Sequence, residues 1–165
     1  KKFILQTKTV SNGGISASSD LNMRNILLTL FLFSSLLFAK DANNPEKTIE
    51  DFFYHFNEMD INKINELWDL PITYFVGDEI MVAESYSEII NYENLKKEGW
   101  SYSKINSIDP IVYQEDFAIY KTNFTRFNNQ DIELISTDTN ITLIKRGDYW
   151  KLKIAIIPIN ISTGK

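Results

Sequence analysis

The sequence predicts an α+β fold in which an antiparallel sheet packs on one face against helices. Three observations predict it. First, Thr139–Ile157 divides into two β-rich runs around Lys145-Arg146-Gly147-Asp148, and Gly-Asp is a common two-residue hairpin connection. Ile141 and Leu143 alternate with Asn140 and Thr142; Trp150, Leu152, Ile154 and Ile156 alternate with Tyr149, Lys151 and Lys153. Period two with one apolar face marks a sheet covered on one side. Second, Ile49, Phe52, Phe53, Phe56 and Met59 recur at three- and four-residue steps, which is the apolar stripe of a helix that can cover it. Third, the helical patterns come early and a four-stranded meander comes last, giving the order α-α-β-β-α-β-β-β-β.

Each element follows from local signals. After a polar linker at 40–44, Asn44 reads as an N-cap with Pro45 at the first helical position, and the helix runs to about Glu58. Asp60 caps a second helix whose stripe is Ile61, Ile64, Leu67 and Trp68, stopped by Pro71. Ile72–Val76 and Glu79–Ala83 form a small hairpin about Gly77-Asp78. Ser85 and Glu88 form a capping box that opens a third helix through Leu95, with Gly99 beyond its end. Trp100–Ser107 and Pro110–Gln114 are strand, bent or bulged at Asp109-Pro110. Phe117–Phe127 is a long strand with Ala118, Tyr120, Thr122 and Phe124 on one face, followed by a turn at 128–131 and a strand from Ile132 to Ile144.

The N-terminal region reads as processing signals. Met23–Ala39 resembles a secretory signal peptide: Arg24 is its positive end, Ile26–Phe38 its apolar run and Ala39 a small residue at the cut. That run is shorter than the roughly 20 residues a spanning helix needs. Residues 1–22 are polar and read as an upstream leader, with a disordered arm as the weaker alternative. One domain, residues 40–165, remains, and we expect it to be exported, to a bacterial periplasm or the medium, with no stable membrane span after cleavage.

From residue 40 onward there are 13 Lys and Arg against 21 Asp and Glu, a net charge of −8. Such a domain is a poor partner for nucleic acid. There is no cysteine, so disulfides, thiol nucleophiles and thiolate metal sites are excluded. With one histidine and no cysteine, we expect no metal site, and no cofactor motif is visible. The Asn-x-Ser/Thr triplets at Asn123, Asn140 and Asn160 are expected by chance in an Asn-rich chain.

The order of elements resembles the nuclear-transport-factor-2-like superfamily, which includes ketosteroid isomerase, scytalone dehydratase and SnoaL-type polyketide cyclases. The carriers are Phe52-Phe53-x-x-Phe56 followed by Met59-Asp60, then Leu67-Trp68-x-x-Pro71 leading into a strand, the capped segment Ser85–Leu95, and the closing Gly147-Asp148-Tyr149-Trp150-Lys151-Leu152. The resemblance covers about residues 45–157. It implies a cone, a cystatin-like curved sheet wrapped around the N-terminal helix, with a pocket at the open end and, in many members, dimers through the sheet. It says little about chemistry.

His55 is the one side chain whose ordinary titration suits a general base near neutrality, and Asp51 lies four residues before it. A solvated histidine is the commoner reading. Isomerase-like chemistry would need carboxylates inside the cone. Asp78 and Glu79 fall in a turn, Tyr54 faces away from the Phe stripe, and Phe117–Phe127 carries no carboxylate. Tyr74, Tyr120 and Phe124 are the candidate pocket-lining residues, with ordinary core packing as the bland reading. Lys145, Arg146, Lys151 and Lys153 read as a solvated sheet face or edge protection, and Arg146-Gly147-Asp148 as a turn rather than an integrin motif. The expected role is non-catalytic binding of a small apolar or aromatic ligand, or of a protein partner. The alternative is a SnoaL-like or isomerase-like enzyme using His55 with a pocket tyrosine or aspartate.

Overall fold

The computed structural model describes residues 44–159 and 161–165; the leader and signal segment read from the sequence, residues 1–39, lie outside the described residues. Helix α1 (Pro45–Asn57) opens where the Asn44 side chain accepts from the Glu46 amide at 3.0 Å, with Pro45 at the first position, where no intrahelical donor is required. Ile49, Phe52, Phe53 and Phe56 are buried, and Tyr54 on the opposite face is 62% exposed. Met59, at φ 57°, turns the chain, and Asp60 caps α2 (Ile61–Leu67) by accepting from the Lys63 amide at 3.1 Å.

The stripe expected of the second helix included Trp68. The structure corrects this: Trp68 is the first residue of strand β1 (Trp68–Val76) and pairs with Leu152. It is buried either way, so periodicity alone could not separate the two readings. Pro71 lies in the register shift between Trp68 and Thr73, where its missing N–H removes no ladder bond. Strand β2 (Glu79–Ala83) returns antiparallel to β1.

The third helix is also corrected. It is a single 3₁₀ turn, Tyr86–Glu88, and then α3 (Tyr92–Lys97), with a second N-cap at Asn91 accepting from the Asn94 amide at 3.0 Å. Ser85 Oγ meets the Ser87 amide rather than closing a box with Glu88. The reason is angular. Tyr86, Ile89, Ile90 and Leu95 are all buried, yet at about 100° per residue Leu95 would lie opposite Tyr86 on a continuous helix. Breaking at Asn91 resets the phase.

The remaining chain is strand β3 (Tyr102–Tyr113), β4 (Phe117–Phe127), β5 (Glu133–Arg146) and β6 (Tyr149–Ile157). As expected, the chain runs on past Asp109-Pro110 as one strand with a bulge: its register shifts at Ile105/Ser107 and just after Pro110, at Pro110/Val112. The sheet order is β2-β1-β6-β5-β4-β3; every pair is antiparallel except β1 with β6. The closing hairpin β5–β6 therefore sits at the centre of the sheet. Helix α1 packs against both β6 and β3, strands three places apart and roughly 14 Å across a flat sheet. One helix reaches both because the sheet curves around it.

The alternation expected along β6 holds only in part. Trp150 and Leu152 are buried, but the inward residues beyond them are Ala155 and Ile157, while Ile156 is exposed. The register with β5 shifts between Thr142 and Leu143, and that bulge moves the strand by one residue, which exchanges the faces.

The basic spot on the hairpin is corrected as well. Arg146 grips Asp69 through Nε (2.8 Å) and Nη2 (3.1 Å), and Lys153 Nζ reaches Asp69 Oδ2 at 3.1 Å and the Pro71 carbonyl at 3.2 Å. Lys151 Nζ donates to the Glu66 carbonyl. These cations clamp the α2–β1 junction onto the central hairpin. The Arg146 hydrogen bonds and Lys153 hold the Asp69 carboxyl down at about 2, from an ordinary 3.8. A depressed carboxyl adds stability that is present above about pH 4 and is lost as the pH falls towards 2. Asp69 is 20% exposed and Arg146 58%, so solvent screening trims the contribution to about 1 kcal/mol. Urea unfolding of wild type and Asp69→Asn is expected to differ by that amount at pH 7 and to converge near pH 2. Parallel pH profiles would exclude the clamp.

Candidate functional site

Between α1 and the inner sheet face lies a cavity whose walls come from most of the fold. Helix α1 contributes Phe52, Phe53 and Phe56; β1 gives Trp68 and Tyr74; the 3₁₀ turn gives Tyr86. Across from them stand Ser103 of β3, Phe124 and Arg126 of β4, and Thr139 and Ile141 of β5, with Leu152 and Ala155 of β6 closing the base. Rings meet edge-on around Phe52: Phe53 at 5.4 Å, Tyr86 at 5.5 Å and Trp68 at 6.0 Å between centroids. The cavity volume is about 20 Å³. As it stands the cavity has room for about one water. A guest of ligand size enters only if the wall moves.

Arg126 is the polar centre of this wall. It is only 6% exposed, and its guanidinium carbon lies 6.0 Å from the centre of the Phe56 ring. Nη1 donates to the carbonyl of Ser162 in the C-terminal segment, while Nε has no partner. Among the described residues no carboxylate forms an ion pair with it. Burial lowers its pKa. Burial also raises the phenols of Tyr74, Tyr86 and Tyr92, and the Arg126 charge draws each of them part of the way back. Two more polar atoms of the lining are buried without a partner, Trp68 Nε1 and Thr139 Oγ1.

The C-terminal segment reaches this point because α3 holds it. The Asn91 amide donates to the Thr163 carbonyl at 2.8 Å and Asn94 Nδ2 to the Gly164 carbonyl at 2.9 Å. Gly164 has φ +75°, and a β-carbon there would collide with the Asn91 carbonyl and the Leu95 amide, so only glycine fits so close to α3.

Of the residues singled out from sequence, Tyr74 and Phe124 line the cavity. Tyr120 is buried on the same strand face as Phe124 but outside the lining; burial pushes its phenol up to about 12, with the Glu46 carboxylate of α1 adding to the rise. His55 is half-buried outside the lining, edge-on to Tyr54 at 5.1 Å, and Asp51, four residues before it, is held by Lys47 at 2.6 Å. Asp78 is exposed in the turn and Glu79 is exposed as the first residue of β2. The lining holds neither a carboxylate nor a histidine. Sequence reading passed over Arg126, yet the signal was present. The alternation Ala118, Tyr120, Thr122, Phe124 continues to Arg126, placing a cation on the buried face. Trp68, Tyr86 and Thr139 had no such signal, because their placement depends on β1 starting early, on the broken helix and on strand pairing.

Among the described residues no group of three or more His, Asp or Glu side chains is placed to hold a metal ion, and no helix is long and apolar enough to cross a membrane.

The family model for NTF2-like protein (DUF6841) matches residues 43–158. Among solved structures, the chain is similar to an NTF2-like protein with a cystatin-like fold from Novosphingobium aromaticivorans, at 13% identity and TM-score 0.59, covering 76% of this chain and 86% of that one. A protein of unknown function with a cystatin-like fold from Nostoc punctiforme matches at 13% identity and TM-score 0.55, over 68% and 85% of the two chains. A dehydratase candidate of the NTF2-like family from Streptomyces avermitilis matches at 12% identity and TM-score 0.51, over 71% and 94%. At these identities the likeness is one of fold. No curated protein matches the sequence.

Proposed function

The chain belongs to the NTF2-like protein family (DUF6841), and from that premise we propose that it is an exported binding domain whose cavity takes a small apolar or aromatic molecule. The observation that carries this reading is the lining. Phe52, Phe53, Phe56 and Trp68 supply apolar faces, while Tyr86 and Arg126 supply polar edges, a composition suited to holding a ring in a fixed orientation. The enzymatic alternative, of SnoaL or isomerase type, is favoured by the dehydratase candidate among the similar folds. Binding without turnover is favoured by a lining that offers no carboxylate or histidine for proton transfer.

A second reading, a protein partner or a second copy on the outer sheet face, also has a specific observation behind it. Register places Ile80, Phe75 and Ile156 side by side across β2, β1 and β6, with Val82 on the same face; Ile80 and Val82 are 63% and 65% exposed. Native mass spectrometry of the chain separates the readings. The expected spectrum shows a non-covalent adduct of defined mass that is lost when Ala155→Phe fills the cavity. An empty dimer that reverts to monomer in Val82→Lys would overturn the cavity reading in favour of the surface.

A further inference from the structure

The cavity carries more hydrogen-bond donors than acceptors. Trp68 Nε1 and Arg126 Nε can only donate, and Thr139 carries a hydroxyl; all three are buried without partners in one lining. A buried guanidinium is costly to keep unless it is paired. Here the Arg126 side chain donates to a neutral partner, the Ser162 carbonyl; the Glu98 carboxylate favours its charge from a distance, but no carboxylate of the described residues forms an ion pair with it. One trapped water, which is what the free space admits, accepts from at most two donors and supplies no negative charge.

We propose that the molecule bound in this cavity carries a carboxylate, and that Arg126 is the group that recognises it. This rests on the cavity reading above and adds the chemical class of the guest: an apolar or aromatic monocarboxylate. Its carboxylate faces the guanidinium fork, where two parallel N–H donors match two oxygens. Its apolar part lies among the rings of Phe52, Phe53 and Trp68, which offer no acceptor of their own. The Ser162 carbonyl accepts from Nη1, and the unpartnered Nε is the donor left for the acid.

The test is calorimetric titration of the full chain with two matched pairs, phenylacetate against phenylacetamide and octanoate against octanamide. Each pair differs in charge and hardly in shape. In the wild type the acids are expected to bind about tenfold or more tightly than the amides, as befits a charge-assisted fork. In Arg126→Met the amides should bind as before and the acids should fall to their level. Arg126→Lys keeps the charge without the fork, and an intermediate preference is expected; it also serves if Arg126→Met fails to fold. Equal binding of acid and amide by the wild type would overturn the proposal and leave the cavity reading standing. An acid preference that persists in both variants would overturn Arg126 as its source. If neither member of either pair binds, the carboxylate proposal fails; a neutral adduct seen by native mass spectrometry would then show that the cavity reading survives it.

Discussion

Replacing Phe52 by alanine is expected to cost about 3–5 kcal/mol of stability, the usual range for deleting a buried aromatic side chain. The size follows from where the ring stands. Phe52 is in the middle of α1 and meets Phe53, Phe56, Trp68 and Tyr86, so it joins the helix to β1 and to the 3₁₀ turn at once. Edge-to-face ring pairs add roughly 0.5–1.5 kcal/mol each beyond the area they bury, and alanine removes all of them while leaving helix propensity intact or improved. The neighbours cannot collapse into the gap, because Trp68 is fixed by its strand pairing with Leu152 and Tyr86 by its backbone bond to Asn65. A domain of this size commonly has 5–15 kcal/mol in total, so the variant sits near the edge of folding. Urea unfolding monitored by near-ultraviolet circular dichroism reads the loss directly. A cost below 1 kcal/mol would mean that the ring cluster is loosely packed and that the cavity beside it is larger than it stands here. Phe52→Leu, which keeps most of the volume, is expected to recover more than half of the loss.

The fold was legible because its strongest signals are local and redundant. Asn44-Pro45, Asp60 and the Gly147-Asp148 turn each state a boundary in one or two residues, and these three stand where they were read; the apolar stripe of α1 holds through Phe56 but not at Met59, which is exposed beyond the helix end. The errors share one cause, which is that residue type reports burial and not the element that delivers it. Trp68 is apolar and buried, so a helical stripe and an early strand explain it equally well until its pairing with Leu152 is known. Ile89 and Ile90 extended an apolar pattern across what is a break, and only the direction of Leu95 reveals it. On β6 the bulge opposite Thr142 and Leu143 exchanges the faces of Ile154 and Ala155, and nothing in the local sequence marks it.

The site was less legible than the fold for a related reason. It is assembled by pairing, not by a motif. Ser103, Arg126 and Thr139 come from three strands that meet only through the register of β3 with β4 and β4 with β5. Aromatic residues drew attention first, since rings line pockets, yet rings also fill cores, and Tyr120 belongs to the second group. The more telling residue type was the one that does not belong on a buried face. Arg126 follows Phe124 at period two, and a cation there asks for a carboxylate partner, yet among the described residues none forms an ion pair with it.

The same demand for partners explains how α1 is tied to the edge of the sheet, and Asn57→Ala is expected to cost about 2–3 kcal/mol when that tie is cut. Strand β3 is an edge strand, and the peptide groups of Ser103 that face away from β4 need hydrogen-bond partners. The Asn57 carboxamide provides both: Nδ2 donates to the Ser103 carbonyl at 2.8 Å, and Oδ1 accepts from the Ser103 amide at 2.8 Å. One side chain thus does what a neighbouring strand would do. It also fixes Ser103, whose hydroxyl accepts from Trp100 Nε1 at 3.0 Å and whose side chain lines the cavity. Alanine leaves two partly buried peptide groups unmatched, and their desolvation adds to the two bonds lost. Asn57→Asp makes a sharper test, because shape is kept and only the donor is lost. At pH 7 its carboxylate would face the Ser103 carbonyl, and the cost should equal or exceed that of alanine. Protonation restores a donor, so the folded state raises the pKa of the new carboxyl. The recovered stability is then present below about pH 4 and lost as the pH rises through the raised value. Urea midpoints for both variants at pH 7 and pH 3.5 read this directly. Recovery of Asn57→Asp, but not of Asn57→Ala, at the lower pH is the expected result. Equal midpoints at both pH values would show that α1 is held to the sheet by its aromatic face alone.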